Sequence, residues 1–217
     1  MAGHQHSGNS EGRTRVLVAD DHPVVRTGLA AVLREEADLE LVAEAENGER
    51  AVALYREHRP DVCLMDLRMP VMDGVEAIQA ITSEFPEARI LALTTYEGDA
   101  DIRRALDAGA RGYLLKDMLL TDVILAVRAV QRGERVIPST VAARLAEFPE
   151  RSELTEREIE VMQLVARGLS NKQVARVIDR TDETVKIHLK NVFAKLGVAD
   201  RTEAVTVALT RGLIHLD

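Results

Sequence analysis

Five short apolar runs alternate with helix-periodic segments over the first 132 residues, and this alternation restricts the fold more than any other feature. The runs are RVLVAD (15–20), LELVAEA (39–45), DVCLMD (61–66), RILALTT (89–95) and GYLLK (112–116). Each is too short for a helix and nearly continuous in apolar residues, as strands buried on both faces are. The intervening segments 23–36, 48–58, 74–85, 99–108 and 119–132 carry helical periodicity. Pro23 is suited to a first helical turn, and Gly133 to a helix C-cap. Such alternation predicts a five-stranded parallel sheet covered by helices on both faces, with right-handed crossovers.

Beyond Gly133 the strand pattern stops. A connector over 134–151 contains a short helix, Ser139 to Phe148, closed by Pro149. Helices are then expected at 155–166, 170–178, 181–196 and 201–211. Thr155 with Glu158 forms a capping box, Ser170 and Thr181 cap the next two helices, and Gly168 and Gly197 act as stops. The predicted organisation is a disordered tail over 1–13, holding His4 and His6, an α/β domain over 14–133, the linker 134–151 and an all-α domain over 152–217.

Hydrophobic residues at 46% and charged residues at 29% exclude disordered and coiled-coil classes. A single cysteine, Cys63, excludes an intrachain disulfide and suits a reducing compartment. The most apolar stretch, Met118 to Val130, is broken by Asp122 and Arg128, so no membrane span is expected. The first residues lack an apolar signal region, and a cytoplasmic location is expected. Of the net charge of −8, the first 150 residues carry −9, and the remainder +1. An acidic front and a mildly basic back suggest two modules with different partners.

Polar groups gather at the strand ends. Asp20 and Asp21 close the first run, Asp66 the third, Thr94 the fourth and Lys116 the fifth. In a parallel sheet these carboxyl ends meet at a crevice where ligands bind. Three carboxylates tolerate such closeness around a hard divalent cation such as Mg²⁺. Cation, hydroxyl and ammonium are what a transferring phosphoryl group needs while a carboxylate attacks. Helix capping would explain Asp20 or Asp21 singly, and a surface position Lys116, but neither explains five polar residues on one edge.

The segments VLVADDHP, LMDLRMPVMDG, LALTTY and GYLLKD resemble the receiver domain of two-component response regulators, from about Arg15 to Arg132. The resemblance implies a flavodoxin-like fold and a phosphoryl group received on Asp66 from a sensor histidine kinase. It implies that Asp20, Asp21, Asp66 and the Arg68 carbonyl hold Mg²⁺, and that Thr94 and Lys116 contact phosphoryl oxygens. Tyr113 falls at the family's switch aromatic, although a half-buried packing role is an alternative. Lys116-Asp117 stands where the family often has Lys-Pro.

In the 181–196 helix, at about 100° per residue, Val185, Leu189, Val192 and Leu196 form a core stripe. Glu183, Ile187, Lys190 and Ala194 point the opposite way. Lys186 lies on one flank, and Thr184, His188, Asn191 and Lys195 on the other. An outward Ile beside two lysines fits a major groove better than plain solvent.

The segments LTEREIEVMQLVARGLSNKQVARVI and TVKIHLKNVFAKLGVADRTEAV resemble the LuxR-type (NarL/FixJ-class) helix-turn-helix domain, over about Leu154 to Leu213. That resemblance makes 181–196 the recognition helix, with Lys186, Ile187 and Lys190 at base-reading positions. It puts Asn171, Lys172, Thr184, His188, Lys195 and Arg201 at or near backbone-contacting ones, and the last helix at a dimer contact. Asp179-Arg180 replaces the family's Gly and apolar residue, so Asp179 is expected in a left-handed conformation and Arg180 turned outward or loosening the turn.

The implied function is a DNA-binding response regulator, not an enzyme, working with Mg²⁺, a sensor histidine kinase, double-stranded DNA and a second copy of itself. Two rivals stand beside it. One is a phosphorylation-independent DNA-binding regulator with a degenerate receiver, disfavoured by the full set Asp20, Asp21, Asp66, Thr94 and Lys116. The other is an aspartyl-phosphate phosphohydrolase, disfavoured by Arg68 where a second acid is usual.

Overall fold

A computed structural model describes residues 12–95, 98–117, 120–147 and 154–216. Expectations for the tail as far as residue 11, for residue 119 and for Phe148 and Pro149 fall outside the described residues. By its internal packing the chain divides into two compact units, Met1–Thr95 with Ala105–Ile137, and Tyr96–Arg104 with Pro138–Asp217.

In the first unit, strands β1 (Thr14–Ala19), β2 (Leu39–Ala45), β3 (Val62–Asp66), β4 (Ile90–Thr94) and β5 (Gly112–Leu115) form one parallel sheet in the order β2-β1-β3-β4-β5. This is a flavodoxin-like doubly wound order, which reverses between β1 and β3. Helices α1 (Pro23–Glu35), α2 (Gly48–His58), α3 (Gly74–Glu84), α4 (Asp99–Asp107) and α5 (Leu120–Gln131) follow the strands in turn. Alternation along each strand sorts the core into two faces. Val16, Val18, Val62, Leu64, Leu91, Leu93 and Leu114 meet Leu29 and Leu33 of α1 and Val123, Ile124, Val127 and Val130 of α5. Leu17, Cys63, Met65, Ile90, Ala92 and Tyr113 point the other way and are also buried.

Strand β2 departs from the expected burial on both faces. It lies at the sheet's edge and is mostly half-buried. A second difference lies just past Gly133. Val136 forms a parallel bridge with Gly112 and accepts a hydrogen bond from Tyr113 N at 2.9 Å. The start of the connector thus extends the sheet beside β5.

The second unit contains α6 (Ser139–Glu147), α7 (Glu156–Ala166), α8 (Asn171–Val177), α9 (Asp182–Leu196) and α10 (Arg201–Thr210). The capping boxes at Thr155/Glu158 and Ser170/Gln173 are formed, and Thr181 caps α9. Its core joins Val161, Met162 and Val165 to Val174, Val185, Leu189, Val192, Ala204 and Ala208. The α4 residues Asp99 and Ala100 belong to this unit. Buried Arg211 grips the Asp99 carboxylate with Nε at 3.0 Å and Nη2 at 2.8 Å, and accepts a hydrogen bond from Ala100 N. Asp179 is left-handed (φ 51°) and Arg180 is exposed, with Nη1 on the Asp179 carbonyl, so the turn absorbs its unusual pair by pointing the arginine outward.

Val71 is a strained point of the first unit. Met72 N donates to Pro70 O at 2.9 Å around Val71 at φ 73°, a γ-turn of the rare positive-φ kind. A β-branched residue fits that conformation badly, and Val71 is 81% exposed, so packing returns little. Val71→Gly is therefore expected to stabilise the first unit by about 1 kcal/mol, after allowing for the greater freedom of glycine in the unfolded chain. Thermal denaturation of the full chain measures this, and an unchanged or lower Tm would contradict it.

Candidate functional site

The carboxyl edge of the sheet brings together the strand-end residues expected there. Asp20 follows β1, Asp66 and Thr94 are the last residues of β3 and β4, and Lys116 follows β5. Asp20, Asp66 and Thr94 are at most 1% exposed. Lys116 Nζ lies 2.7 Å from Asp20 Oδ2 and 2.7 Å from Asp66 Oδ2, bridging the two carboxylates. Arg68 N donates to Asp66 Oδ1 at 3.2 Å, His22 N to Asp20 Oδ1 at 2.9 Å, and Arg26 Nη1 to the Asp20 carbonyl at 2.6 Å.

Burial pushes the Asp66 carboxyl up to about 6, although Lys116 pulls it back by hydrogen bond and charge. Burial opposes the charge on Lys116, but its two carboxylate partners outweigh this and hold its pKa above the ordinary lysine value.

Ligand atoms of Asp20, Asp21, His22 and Asp66 all lie within 4.8 Å of one another. Among the described residues, buried Asp20 Oδ2 and Asp21 Oδ1 lack a hydrogen bond of good geometry, although they stand at ion-pair distance from Lys116 Nζ and His22 Nδ1. Poorly satisfied carboxylate oxygens on a shared pocket are a donor set that suits a hard divalent cation.

Two positioning features were not singled out from the sequence. Gly74 starts α3 directly beneath the Asp66 backbone, where a Cβ would stand 2.0 Å from Asp66 O and 2.7 Å from Leu67 Cα. The Asp73/Glu76 capping box anchors that turn. The D-G pair within LMDLRMPVMDG was the available signal. Tyr113 is wholly buried rather than half-buried.

On α9 the exposed residues are Glu183, Lys186, Ile187, Lys190, Asn191 and Ala194. Ile187 is 55% exposed, as the angular pattern requires of a residue opposite the core. Lys186 is paired within its own helix, to Asp182 at 3.1 Å and Glu183 at 3.3 Å. Lys172 is exposed, whereas Thr184 and His188 are half-exposed.

Three expected DNA-backbone contacts are engaged internally. Lys195 Nζ lies 2.6 Å from Oε2 of buried Glu158. Arg201 donates from Nη1 to Asn171 Oδ1 at 3.1 Å, and from Nη2 to the carbonyls of Val165 and Leu169, clasping the α7–α8 turn. Sequence spacing gave no warning, because these pairs form only once the helices have packed.

Known proteins share this pair of domains. Residues 16–128 match the response regulator receiver domain, and residues 152–208 the luxR family of bacterial regulatory proteins. The response regulator protein VraR of Staphylococcus aureus is 42% identical over 206 residues, which cover 93% of this chain and 99% of that protein. The crystal structure of response regulator ChrA, from a heme-sensing two-component system, is 40% identical, with a TM-score of 0.57 and coverage of 94% and 100%. RcsB of Salmonella enterica serovar Typhimurium, bound to promoter DNA in the presence of BeF3⁻, is 28% identical, with a TM-score of 0.69 and coverage of 92% and 99%. The chain belongs to the two-component response regulators that join a receiver to a LuxR-type DNA-binding domain, a family that regulates transcription. No described helix is long and apolar enough to cross a membrane.

The Lys195–Glu158 pair makes a stability prediction. Burial alone would raise the Glu158 pKa, but hydrogen bonds from Lys195 and Thr155 outweigh it and hold the carboxyl below its ordinary value of 4.5. A depressed folded-state pKa stabilises fully above the unfolded value and is lost as pH falls through the folded one. Glu158→Gln should cost about 2 kcal/mol near pH 7, less than a fully buried pair because Lys195 is partly exposed. It should also remove one component of the acid-induced fall in Tm below about pH 4.5. An identical pH profile of Tm in wild type and variant would refute the assignment.

Proposed function

We propose that Asp66 is the phosphoacceptor of this response regulator. The observation that carries the reading is the buried Asp20–Lys116–Asp66 cluster, two carboxylates sharing one ammonium at the ligand-binding edge of the sheet. An Asp66 oxygen attacks the phosphorus of a phosphohistidine on the sensor kinase. The P–O bond forms as the P–N bond breaks, and the histidine nitrogen keeps the electron pair. Lys116 leaves its bridging position to meet the incoming phosphoryl oxygens, and the Thr94 hydroxyl contacts another. Asp20, Asp21, Asp66 and the Arg68 carbonyl would hold Mg²⁺, which supplies charge neutralisation for the phosphoryl group when bound. Tyr113 would act as the switch by leaving its buried position.

The output half of the proposal is sequence-specific DNA binding through α9. Lys186, Ile187 and Lys190 face bases, while Lys172, Thr184 and His188 lie near the phosphates. Asn171, Lys195 and Arg201 support the helices that carry them. The DNA-bound RcsB supports this reading, as does the exposure of Ile187 between two lysines. Phosphorylation shifts the population toward a homodimer paired through α10, and the setting is the cytoplasm.

Acetyl phosphate tests the first half directly. Wild-type chain should be labelled in the presence of Mg²⁺, with labelling lost in Asp66→Asn and on chelation with EDTA. Phosphate incorporation followed by mass spectrometry measures this. Undiminished labelling in Asp66→Asn would remove Asp66 from the role.

A further inference from the structure

The exposed stripe of α9 contains a group that DNA binding by Lys186, Ile187 and Lys190 does not use. Glu183 sits in the first turn, in line with Ile187 and Lys190 on the face opposite the core, and its side chain is 75% exposed. A carboxylate there is unfavourable on electrostatic grounds, because the surface must approach a duplex carrying one negative charge per phosphate. Helix N-termini do favour acids, but Asp182 already supplies one at the first helical position. Asp182 stands on the flank, whereas Glu183 stands at the centre of the reading face.

In the free protein, Glu183 and Asp182 both hold Lys186, at 3.3 Å and 3.1 Å. Phosphate must therefore compete with two carboxylates for one ammonium, which weakens binding to DNA of arbitrary sequence. When Lys186 turns to a base or phosphate, the Glu183 carboxylate is left at the groove. The major-groove edge of guanine offers only acceptors, and thymine an acceptor and a methyl group. Both repel or fail to satisfy a carboxylate. Cytosine presents the N4 amino group with no competing acceptor beside it, which is the donor a single carboxylate matches.

We propose that Glu183 is a specificity-determining residue, whose carboxylate accepts a hydrogen bond from the N4 amino group of a cytosine in each half-site and rejects guanine and thymine there. This rests on α9 being the recognition helix. The experiment separates the two readings. Sequences bound by the phosphorylated full-length chain are selected from a random DNA pool, for wild type, Glu183→Ala, Glu183→Gln and Lys190→Ala. Wild type should show one cytosine-dominated position, preferred about tenfold over guanine or thymine. Glu183→Ala should flatten that position alone, while raising affinity for non-selected DNA. Glu183→Gln should move the preference toward adenine, whose N6 and N7 a carboxamide pairs with. Lys190→Ala should alter a different position and leave the cytosine in place.

A Glu183→Ala variant that binds all sequences more tightly with its preferences unchanged would overturn the proposal, reducing Glu183 to plain repulsion. So would a wild-type site in which guanine or thymine dominates the position that Glu183→Ala alters. A wild-type pool with no preferred position would overturn the recognition-helix reading, and this inference with it.

Discussion

Asp20 and Asp66 are both carboxylates, both buried, and both within 2.7 Å of the same ammonium. Two such groups side by side in a low-dielectric pocket repel each other strongly, and each loses hydration. Lys116 offsets their repulsion in the free chain, while burial still pushes the Asp66 carboxyl up to about 6. Much of the sheet's design answers the need to hold these three groups together. The reversal of strand order puts the ends of β1 and β3 beside each other, and β5 delivers Lys116 two strands away from β3. Gly74 allows α3 to start against the Asp66 backbone, so the loop after β3 folds back without pushing the carboxylate aside.

The second unit distributes its charges differently. Of the five Lys and Arg residues that the family resemblance assigns to DNA, Lys195 and Arg201 also make structural contacts within the unit. Lys195 neutralises Glu158, which also caps α7, so one carboxylate ties the start of α7 to the end of α9. Arg201 donates to the Val165 carbonyl at the end of α7, to the Leu169 carbonyl in the following turn and to Asn171 at the start of α8. A module with one small, largely aliphatic core gains rigidity from such clasps.

What could be read from the sequence was local. Apolar runs, Pro23, the Thr155/Glu158 box and the glycine stops each act within a few residues, and each helix formed within a residue or two of its expected limits. The strand-end acids were legible because parallel sheets gather their carboxyl ends in one place whatever the details. The rest depended on partners distant in the chain. Asp99 and Arg211 are 112 residues apart, and neither signals the other in sequence. The edge position of β2 follows from strand order, and Glu40 and Glu44 within it were the available sign that it is only partly buried. Val136 pairs beside β5 although nothing in its surroundings reads as a strand.

That last pairing ties the edge of the sheet that holds the carboxylate pocket to the start of the connector. Lys116 N donates to the Thr94 carbonyl at 2.7 Å, Tyr113 N donates to Val136 O, and Val136 N donates to Arg111 O. The ends of β4 and β5 and the start of the connector therefore form one continuous hydrogen-bonded ladder. A ligand shifts an equilibrium only by the difference in its affinity for the two states. On the proposed reading that difference arises at Lys116, which trades two carboxylates for phosphoryl oxygens. Because its own backbone is fixed to Thr94, the exchange is felt first along β4 and β5. Tyr113 lies on the same ladder, three residues before Lys116 and beside Val136, and is wholly buried. Packed strand pairs of this kind change between discrete arrangements instead of yielding gradually.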